Sequence, residues 1–169
     1  IKLMNKKSEA YFFIFHSTKE NREKIHSFVK KQEYKNCDVI SNEDIKNKIL
    51  SQSVFAVAKS GTISLEICNL NIPSIIIYKI NYINFFIMKL LVKVKFANII
   101  NIINKKEIIP ELLQNECNSY EIFKTVNYFL KNPNLMNEQI QITKKTLDGI
   151  KSKTFSSNEA CLILKNYLS

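Results

Sequence analysis

Short apolar runs alternate with longer amphipathic segments through the first half of the chain, and this alternation constrains the fold more than any other feature. The runs have the length and apolar content of buried strands, whereas the segments between them carry apolar residues at helical spacing. The predicted strands are 11–16, 37–40, 53–58 and 74–78, and the predicted helices between them are 19–32, a brief one after Asn42, and 62–70. Such alternation predicts a Rossmann-like α/β fold, in which helices cover both faces of a parallel sheet.

The second half of the chain is predicted to be largely helical. Apolar periodicity and turn residues outline helices at 83–94, 107–114, 119–131, 135–150 and 158–168, so the fold ends in a helical C-terminal tail. With 169 residues and 46% apolar content, the chain is long enough for one domain with a substantial core. A second full domain is not expected.

The formal charge of +10 is a poor guide to function, because almost all the cations are lysines spread through a chain rich in Asn and Ile. Arg22 is the only arginine, although arginine best matches the geometry of phosphates and guanine edges, so nucleic-acid binding is not expected. The four scattered cysteines fit a reduced, cytosolic setting. Neither they nor the isolated His16 and His26 show metal-ligand spacing, and we predict no metal and no cofactor.

A Ser-Gly-Thr turn between a predicted strand and a predicted helix is the first candidate for chemistry. Gly61 allows close approach to the backbone, Ser60 and Thr62 offer hydroxyl groups, and the first N–H groups of the helix attract an anion. Glu66 lies four residues after Thr62 on the same helical face, where its carboxylate could accept two hydrogen bonds from a ribose diol. Phosphate donors beside a diol acceptor indicate a nucleotide diphosphate, and ordinary helix capping is the alternative.

The segment 82–96 is apolar almost all round and is interrupted by lysines. It is too short to span a bilayer, but apolar residues interleaved with lysines fit a helix that lies in a membrane interface. The residues predicted to contact the membrane are Phe85, Phe86, Met88, Lys89 and Lys93. A buried core helix with one solvated edge explains the same pattern. If the segment is the functional element, the protein is a non-enzymatic membrane-surface module.

From Ser60 to Gln114 the sequence resembles the lipid-A-disaccharide synthase family. The ordered matches are SGT-x-x-LE, IP before a strand, YK, KLLVKVKF, an asparagine at position 101, and KEIIPELLQ. Several motifs in the same order with natural spacing are far more specific than any one of them. The chain departs from the family pattern with Lys105 where the family has Gly and Lys106 where it has Arg.

This resemblance implies an inverting glycosyltransferase of the GT-B type, which is built from two Rossmann domains. Residues 1–169 would form a truncated C-terminal nucleotide-sugar-binding domain, with the N-terminal acceptor domain absent. The implied reaction joins UDP-2,3-diacylglucosamine to 2,3-diacylglucosamine 1-phosphate and yields lipid A disaccharide and UDP. The enzyme would work in the cytoplasm, peripherally at the inner face of the bacterial inner membrane.

The resemblance assigns no catalytic residue to this chain, because the carboxylate base belongs to the acceptor domain. The isolated chain is therefore expected to be inactive, either as a remnant of a split gene or as the partner of a separately encoded N-terminal domain.

Carried over residue by residue, the resemblance gives each candidate side chain a role. The turn from Ser60 to Thr62 would hold the diphosphate, and Glu66 would hold the uridine ribose. Asn101 falls where a family loop lines the same pocket, and Glu107 opens the next predicted helix nearby. Without the resemblance, an ordinary turn residue is the better explanation of Asn101. A charge that complements a helix dipole explains Glu107 as well as a binding role does.

Overall fold

The computed structural model describes residues 11–15, 19–32, 34, 36–81 and 95–150. Within these ranges the strands are β1 Phe12–Phe15, β2 Cys37–Ile40, β3 Ala56–Lys59, β4 Ser74–Tyr78 and β5 Glu111–Leu113. The helices are α1 Lys19–Lys31, α2 Glu43–Ser51, α3 Thr62–Asn69, α4 Ile99–Asn104, α5 Ser119–Lys131 and α6 Pro133–Ile150. The order along the chain is β1-α1-β2-α2-β3-α3-β4-α4-β5-α5-α6, so each strand pair is separated by a helix.

All pairings between the described strands are parallel, and they form two sheets. Strand β1 pairs with β2, and a second sheet has the order β3-β4-β5. In the second sheet Val57 lies opposite Ile75, and Ile76 lies opposite Glu111. Parallel strands joined through helices are the defining arrangement of α/β folds, and the predicted Rossmann-like class is confirmed.

Two apolar layers cover opposite faces of β4, because neighbouring residues of a strand point to opposite sides. Ile76 belongs to the larger layer, together with Leu50 of α2, Ile67 of α3 and Leu147 of α6. Ile75 faces the other layer and packs with Val126 of α5, with several half-buried apolar residues around the pair. The sheet is therefore covered by helices on both faces, as the sequence pattern predicts.

Two glutamine side chains extend the hydrogen bonding of β4 beyond the strand itself. Gln139 of α6 accepts a hydrogen bond from the Ser74 N–H at 2.6 Å and donates one to the Ser74 carbonyl at 3.1 Å. Just past the other end of β4, Gln114 accepts from the Ile80 N–H at 2.9 Å and donates to the Ile80 carbonyl at 3.1 Å. Each amide thus satisfies both backbone groups of one residue, as a neighbouring strand would.

The predicted helix 107–114 is wrong, since the segment forms a loop followed by β5. The apolar pairs in this segment fit a short strand as well as a helix. Hydrogen bonds from β4 select the strand, and the first of them runs from the Ile76 N–H to the Pro110 carbonyl at 2.8 Å. The helix α4 was not predicted.

The predicted membrane-contacting residues, Phe85, Phe86, Met88, Lys89 and Lys93, lie outside the described residues, and so does the predicted tail helix 158–168. Within the part of the chain that the structure describes, every helix is too short or too polar to cross a membrane.

Candidate functional site

The Ser-Gly-Thr turn lies between the end of β3 and the start of α3. Gly61 is the N-cap of α3 and has φ 144° and ψ −164°, a conformation that residues with a Cβ rarely adopt. A Cβ at this position would meet no atom within 4 Å, so the space in front of the turn is open. Gly61 and Thr62 are exposed beside this open space. The Ser64 N–H donates to the Gly61 carbonyl at 3.1 Å, so the N–H groups of Thr62 and Ile63, which have no acceptor within a helix that starts at Thr62, are the ones that an anion could reach. The backbone geometry is that of a potential anion cradle.

The turn is tied to a loop formed by residues 95–98. The Ser60 hydroxyl donates to the Ala97 carbonyl at 2.9 Å, and the Asn98 amide donates to the Ser64 hydroxyl at 3.1 Å. Ser64 in turn donates to the Gly61 carbonyl at 2.6 Å. The Ser60 hydroxyl therefore holds the turn in place, which leaves backbone N–H groups and Thr62 as the groups facing open space.

Glu66 lies one turn along α3 from Thr62, on the face that the sequence spacing predicts. Its side chain is 39% exposed, and Oε1 lies 3.7 Å from the Nζ of Lys46 on α2. A half-exposed ion pair at this distance contributes little to stability, and the carboxylate stays open to solvent.

Asn101 does not lie on a pocket loop. It is part of α4 and fully buried, and its amide is saturated with hydrogen bonds inside the protein. The oxygen accepts from the N–H groups of Ile108 at 2.8 Å and Ile109 at 2.9 Å, while the nitrogen donates to the Ile109 carbonyl and to Glu111 Oε1, both at 2.7 Å. An amide has two donors and two acceptor positions, so none remains for a ligand in this arrangement.

Glu107 precedes β5 in the loop after α4 and does not open a helix. It is exposed, and its Oε1 accepts from the Glu111 N–H at 3.2 Å.

Glu107 also borders an open cavity of about 330 Å³. The lining residues are Lys95, Phe96, Lys105, Lys106, Glu107, Glu111 and Leu113. The lining contains three lysines and two carboxylates, so its net charge is positive and suits an anionic ligand.

Lys105, for which the resemblance expects glycine, adopts the left-handed conformation that glycine favours. Its φ is 51° and its ψ is 24°, and its N–H closes the C-terminus of α4 by donating to the Ile102 carbonyl at 3.2 Å. The backbone of this loop therefore makes a left-handed turn at a residue that carries a Cβ, which costs some strain.

Glu111 is the residue that sequence reasoning underestimated. Its Oε2 accepts from the Ala97 N–H at 2.7 Å, and its Oε1 accepts from the Asn98 N–H at 2.9 Å and from Asn101 at 2.7 Å. The side chain is 7% exposed, so these bonds lie in a nearly dry environment. Glu111 clamps the loop 95–98 and α4 onto β5. A carboxylate that stands among apolar residues on both sides would have been the signal for a buried hydrogen-bonded acceptor.

Burial makes Cys68 a poor nucleophile. Cys68 of α3 is 2% exposed, and burial raises the pKa of its thiol to about 11, which keeps it protonated. Within the described ranges, no group of three His, Cys, Asp or Glu side chains could hold a metal ion.

Comparison with known proteins connects this geometry to a family. The family model described as "Lipid-A-disaccharide synthetase" matches residues 1–165. The lipid-A-disaccharide synthase of Rickettsia bellii (strain OSU 85-389) is 38% identical over 129 residues, which are 75% of this chain and 33% of that protein. The Rickettsia conorii enzyme is 42% identical over 113 residues, 66% of this chain and 25% of that protein. The Sulfurihydrogenibium sp. enzyme is 38% identical over 108 residues, 62% of this chain and 28% of that protein.

The chain thus spans about a third or less of the length of the curated relatives it matches. The family model, by contrast, extends over nearly the whole chain. The chain therefore belongs to the lipid-A-disaccharide synthetase family.

Proposed function

We propose that this chain is the donor-binding part of a GT-B glycosyltransferase that makes the lipid A disaccharide. The donor is UDP-2,3-diacylglucosamine, the acceptor is 2,3-diacylglucosamine 1-phosphate, and the products are the disaccharide and UDP. Membership of the lipid-A-disaccharide synthetase family supports the reaction class. The observation that carries the site is the positive φ of Gly61 at the mouth of α3, directly after the carboxyl end of β3.

The diphosphate would lie against the Ser60 to Thr62 turn. Backbone N–H groups at the start of α3 donate to phosphate oxygens, and the helix dipole favours the negative charge. The loop 95–98 joins this turn to the lysine-lined cavity, because Ser60 bonds to Ala97 while Lys95 borders the cavity. Lys95, Lys105 and Lys106 would supply the positive charge that balances the diphosphate, with Lys106 acting as a point charge where the family has Arg.

Glu66 is proposed to accept hydrogen bonds from the ribose hydroxyls. Its exposed carboxylate is one helical turn from Thr62, and its Oε1 lies 3.7 Å from the Nζ of Lys46. Buried Asn101 would act indirectly, by fixing the loop that carries Glu107 at the edge of the cavity. The base that removes the proton from the acceptor hydroxyl is proposed to come from the acceptor-binding part of the complete enzyme, so this chain alone would be inactive.

Both proposed substrates carry acyl chains, so the reaction would take place at a membrane surface. The lysine-interrupted apolar segment 82–96 is the proposed contact with anionic headgroups. The enzyme would then work as a peripheral protein at the inner face of the bacterial inner membrane.

Calorimetric titration of UDP into the purified chain tests the site. We expect Gly61→Val to weaken UDP binding at least tenfold, because valine cannot hold φ at 144°, and Glu66→Ala to weaken it by a similar factor. Glu138→Ala is the matched control, since Glu138 is an exposed carboxylate on α6. A UDP affinity that neither Gly61→Val nor Glu66→Ala changes would show that the assigned pocket is wrong.

A further inference from the structure

The carboxyl ends of three parallel strands lie side by side where the chain makes the Ser60 to Thr62 turn. Strand β3 ends at Lys59, β4 at Tyr78 and β5 at Leu113. Lys59 is in register with Ile77, the residue before Tyr78, and Tyr78 is in register with Leu113. In α/β sheets ligands bind outside the carboxyl ends of the strands. Lys59 and Tyr78 are therefore placed where a ligand held by the turn would lie.

The side chain of Lys59 reaches from β3 across to β4. Its Nζ lies 5.3 Å from the centroid of the Tyr78 ring, which is within the range of a cation–π contact. Lys59 is exposed, whereas Tyr78 is half-buried, so the ring is the more firmly packed member of the pair. The contact keeps the ammonium group at the carboxyl ends of the strands instead of letting it extend into solvent.

The ring holds the ammonium group of Lys59 without neutralising it, because an aromatic ring has no net charge. No carboxylate among the described residues forms an ion pair with Lys59. Glu66, the acidic residue of α3, lies beside Lys46 instead. The charge and the three N–H donors of the Lys59 ammonium group are thus free to meet an anion within reach of the side chain.

The Ser60 to Thr62 turn by itself provides too little for a diphosphate. It offers the N–H groups of Thr62 and Ile63, and the helix dipole adds about half a positive charge. A diphosphate carries several times that charge, and it has more acceptor oxygens than two N–H groups can satisfy. Lys59 is the cationic residue nearest to the turn along the chain, directly before Ser60. Its ammonium group would add a full positive charge to the site.

The positions of these groups set the direction of the ligand, a step that rests on the proposed function. Glu66, proposed for the ribose, lies one turn into α3, whereas Lys59 precedes the helix at the end of β3. The phosphate next to the ribose would then lie at the Thr62 N–H, and the second, distal phosphate would lie toward Lys59. Lys59 is therefore on the side of the ligand that a nucleoside monophosphate lacks.

We propose that Lys59 binds the distal phosphate of a nucleoside diphosphate and that Tyr78 is its positioning residue. The Lys59 ammonium group donates charge-assisted hydrogen bonds to oxygens of that phosphate. The ring of Tyr78 keeps the ammonium group at the carboxyl ends of the strands before the ligand arrives. The pair thereby makes the site prefer a nucleoside diphosphate over the corresponding monophosphate.

Calorimetric titration of UDP and UMP into the purified chain tests the phosphate contact through the ratio of the two affinities. We expect Lys59→Met to weaken UDP binding about tenfold and UMP binding less than about twofold, because UMP has no distal phosphate. Lys59→Arg keeps the charge and should retain most of the preference for UDP. Lys59 is exposed, so both variants should keep the thermal midpoint of the wild type.

Lys131→Met is the matched control for the loss of one positive charge, because Lys131 is exposed at the end of α5. We expect it to leave the ratio of UDP to UMP affinity unchanged. A ratio that Lys59→Met also leaves unchanged, or that Lys131→Met lowers equally, would overturn the proposal.

Two variants of Tyr78 test the positioning role. Tyr78→Phe keeps the ring and should leave the preference for UDP close to that of the wild type, whereas Tyr78→Leu removes the ring and should lower it. The effect of Tyr78→Leu on the ratio should disappear when Lys59→Met is also present, because Tyr78 acts through Lys59. An equal effect with and without Lys59→Met would show that Tyr78 does not position Lys59.

The outcomes separate this proposal from the proposed function. UDP binding that depends on Gly61 and Glu66 but not on Lys59 would refute the phosphate contact and leave the proposed function standing. A folded chain that binds neither UDP nor UMP would refute both.

Discussion

Replacing Glu111 by glutamine is the sharpest test of how the site is held together. The substitution keeps the size of the side chain and exchanges one carboxylate oxygen for an NH₂ group. In the structure, Oε1 accepts from Asn98 and Asn101, and Oε2 accepts from Ala97. If the amide oxygen takes the place of Oε1, the NH₂ group faces the Ala97 N–H, and two donors meet at a site where the side chain is 7% exposed.

The expected loss can be built up from the individual bonds. A hydrogen bond to a charged group contributes about 1.5–3 kcal/mol and a neutral one about 0.5–1.5 kcal/mol, so losing one charged bond and weakening two costs about 3.5–6 kcal/mol. Removing a buried charge relieves a desolvation penalty and offsets roughly 1 kcal/mol of this. We therefore expect Glu111→Gln to lower the free energy of unfolding by about 2.5–5 kcal/mol.

Urea denaturation at neutral pH measures this change, with Glu138→Gln as control. Glu138 is exposed on α6, so the same chemical change there should stay within about 0.5 kcal/mol. Equal effects of the two variants, or a loss below about 1 kcal/mol for Glu111→Gln, would refute the clamp. The clamp also predicts weaker UDP binding at temperatures where the variant is folded, because the loop 95–98 holds the Ser60 turn.

Three further predictions concern single residues. Lys105→Gly should raise the free energy of unfolding by about 1 kcal/mol, since Lys105 has φ 51°, and Lys106→Gly should give no such gain in the same thermal melts. Asn118→Ala should lower the free energy of unfolding in urea by about 1 kcal/mol, because Asn118 caps α5 by accepting hydrogen bonds from two backbone N–H groups. Asn118→Ser should keep most of this stability, and equal losses for both variants would count against the cap. Cys68 has a folded-state pKa of about 11 against an ordinary 9.0, so the unfolded thiol ionises first as the pH rises. Its stabilising contribution is complete below pH 9 and lost toward pH 11. Between about pH 8 and about pH 10.5 the free energy of unfolding of the wild type, measured by urea denaturation, should fall by about 2 kcal/mol more than that of Cys68→Ala. Equal falls in the two proteins would contradict this pKa.

Local sequence patterns predict strands and helices best where the spacing of apolar residues fits either a strand or a helix but not both. The strands Cys37–Ile40 and Ser74–Tyr78 and the helix Ser119–Lys131 were predicted with the bounds that the structure shows. Their signals are local: β-branched runs for the strands and a capping asparagine with apolar periodicity for the helix.

The errors occur where distant contacts decide the local conformation. Residues 107–114 form a loop and a strand because the open edge of β4 pairs with Glu111–Leu113. The role of Glu111 was missed for the same reason, because its bonding partners Ala97 and Asn98 are distant in sequence and reach it only once α4 has folded over β5. By contrast, the position of the Ser60 to Thr62 turn between β3 and α3 was predicted, since its residues alone specify the turn.

The glutamine amides at the two ends of β4 have a consequence for synthesis on the ribosome. Gln139 is made 65 residues after Ser74, and until then the backbone groups of Ser74 lack the partners they have in the native protein. At typical elongation rates that interval is about 3–13 s. During this time the first residue of β4 offers a free donor and acceptor to any neighbouring chain. The docking of α6 ends this exposure, so the rate at which the last described helix packs sets how long Ser74 stays open to such pairing.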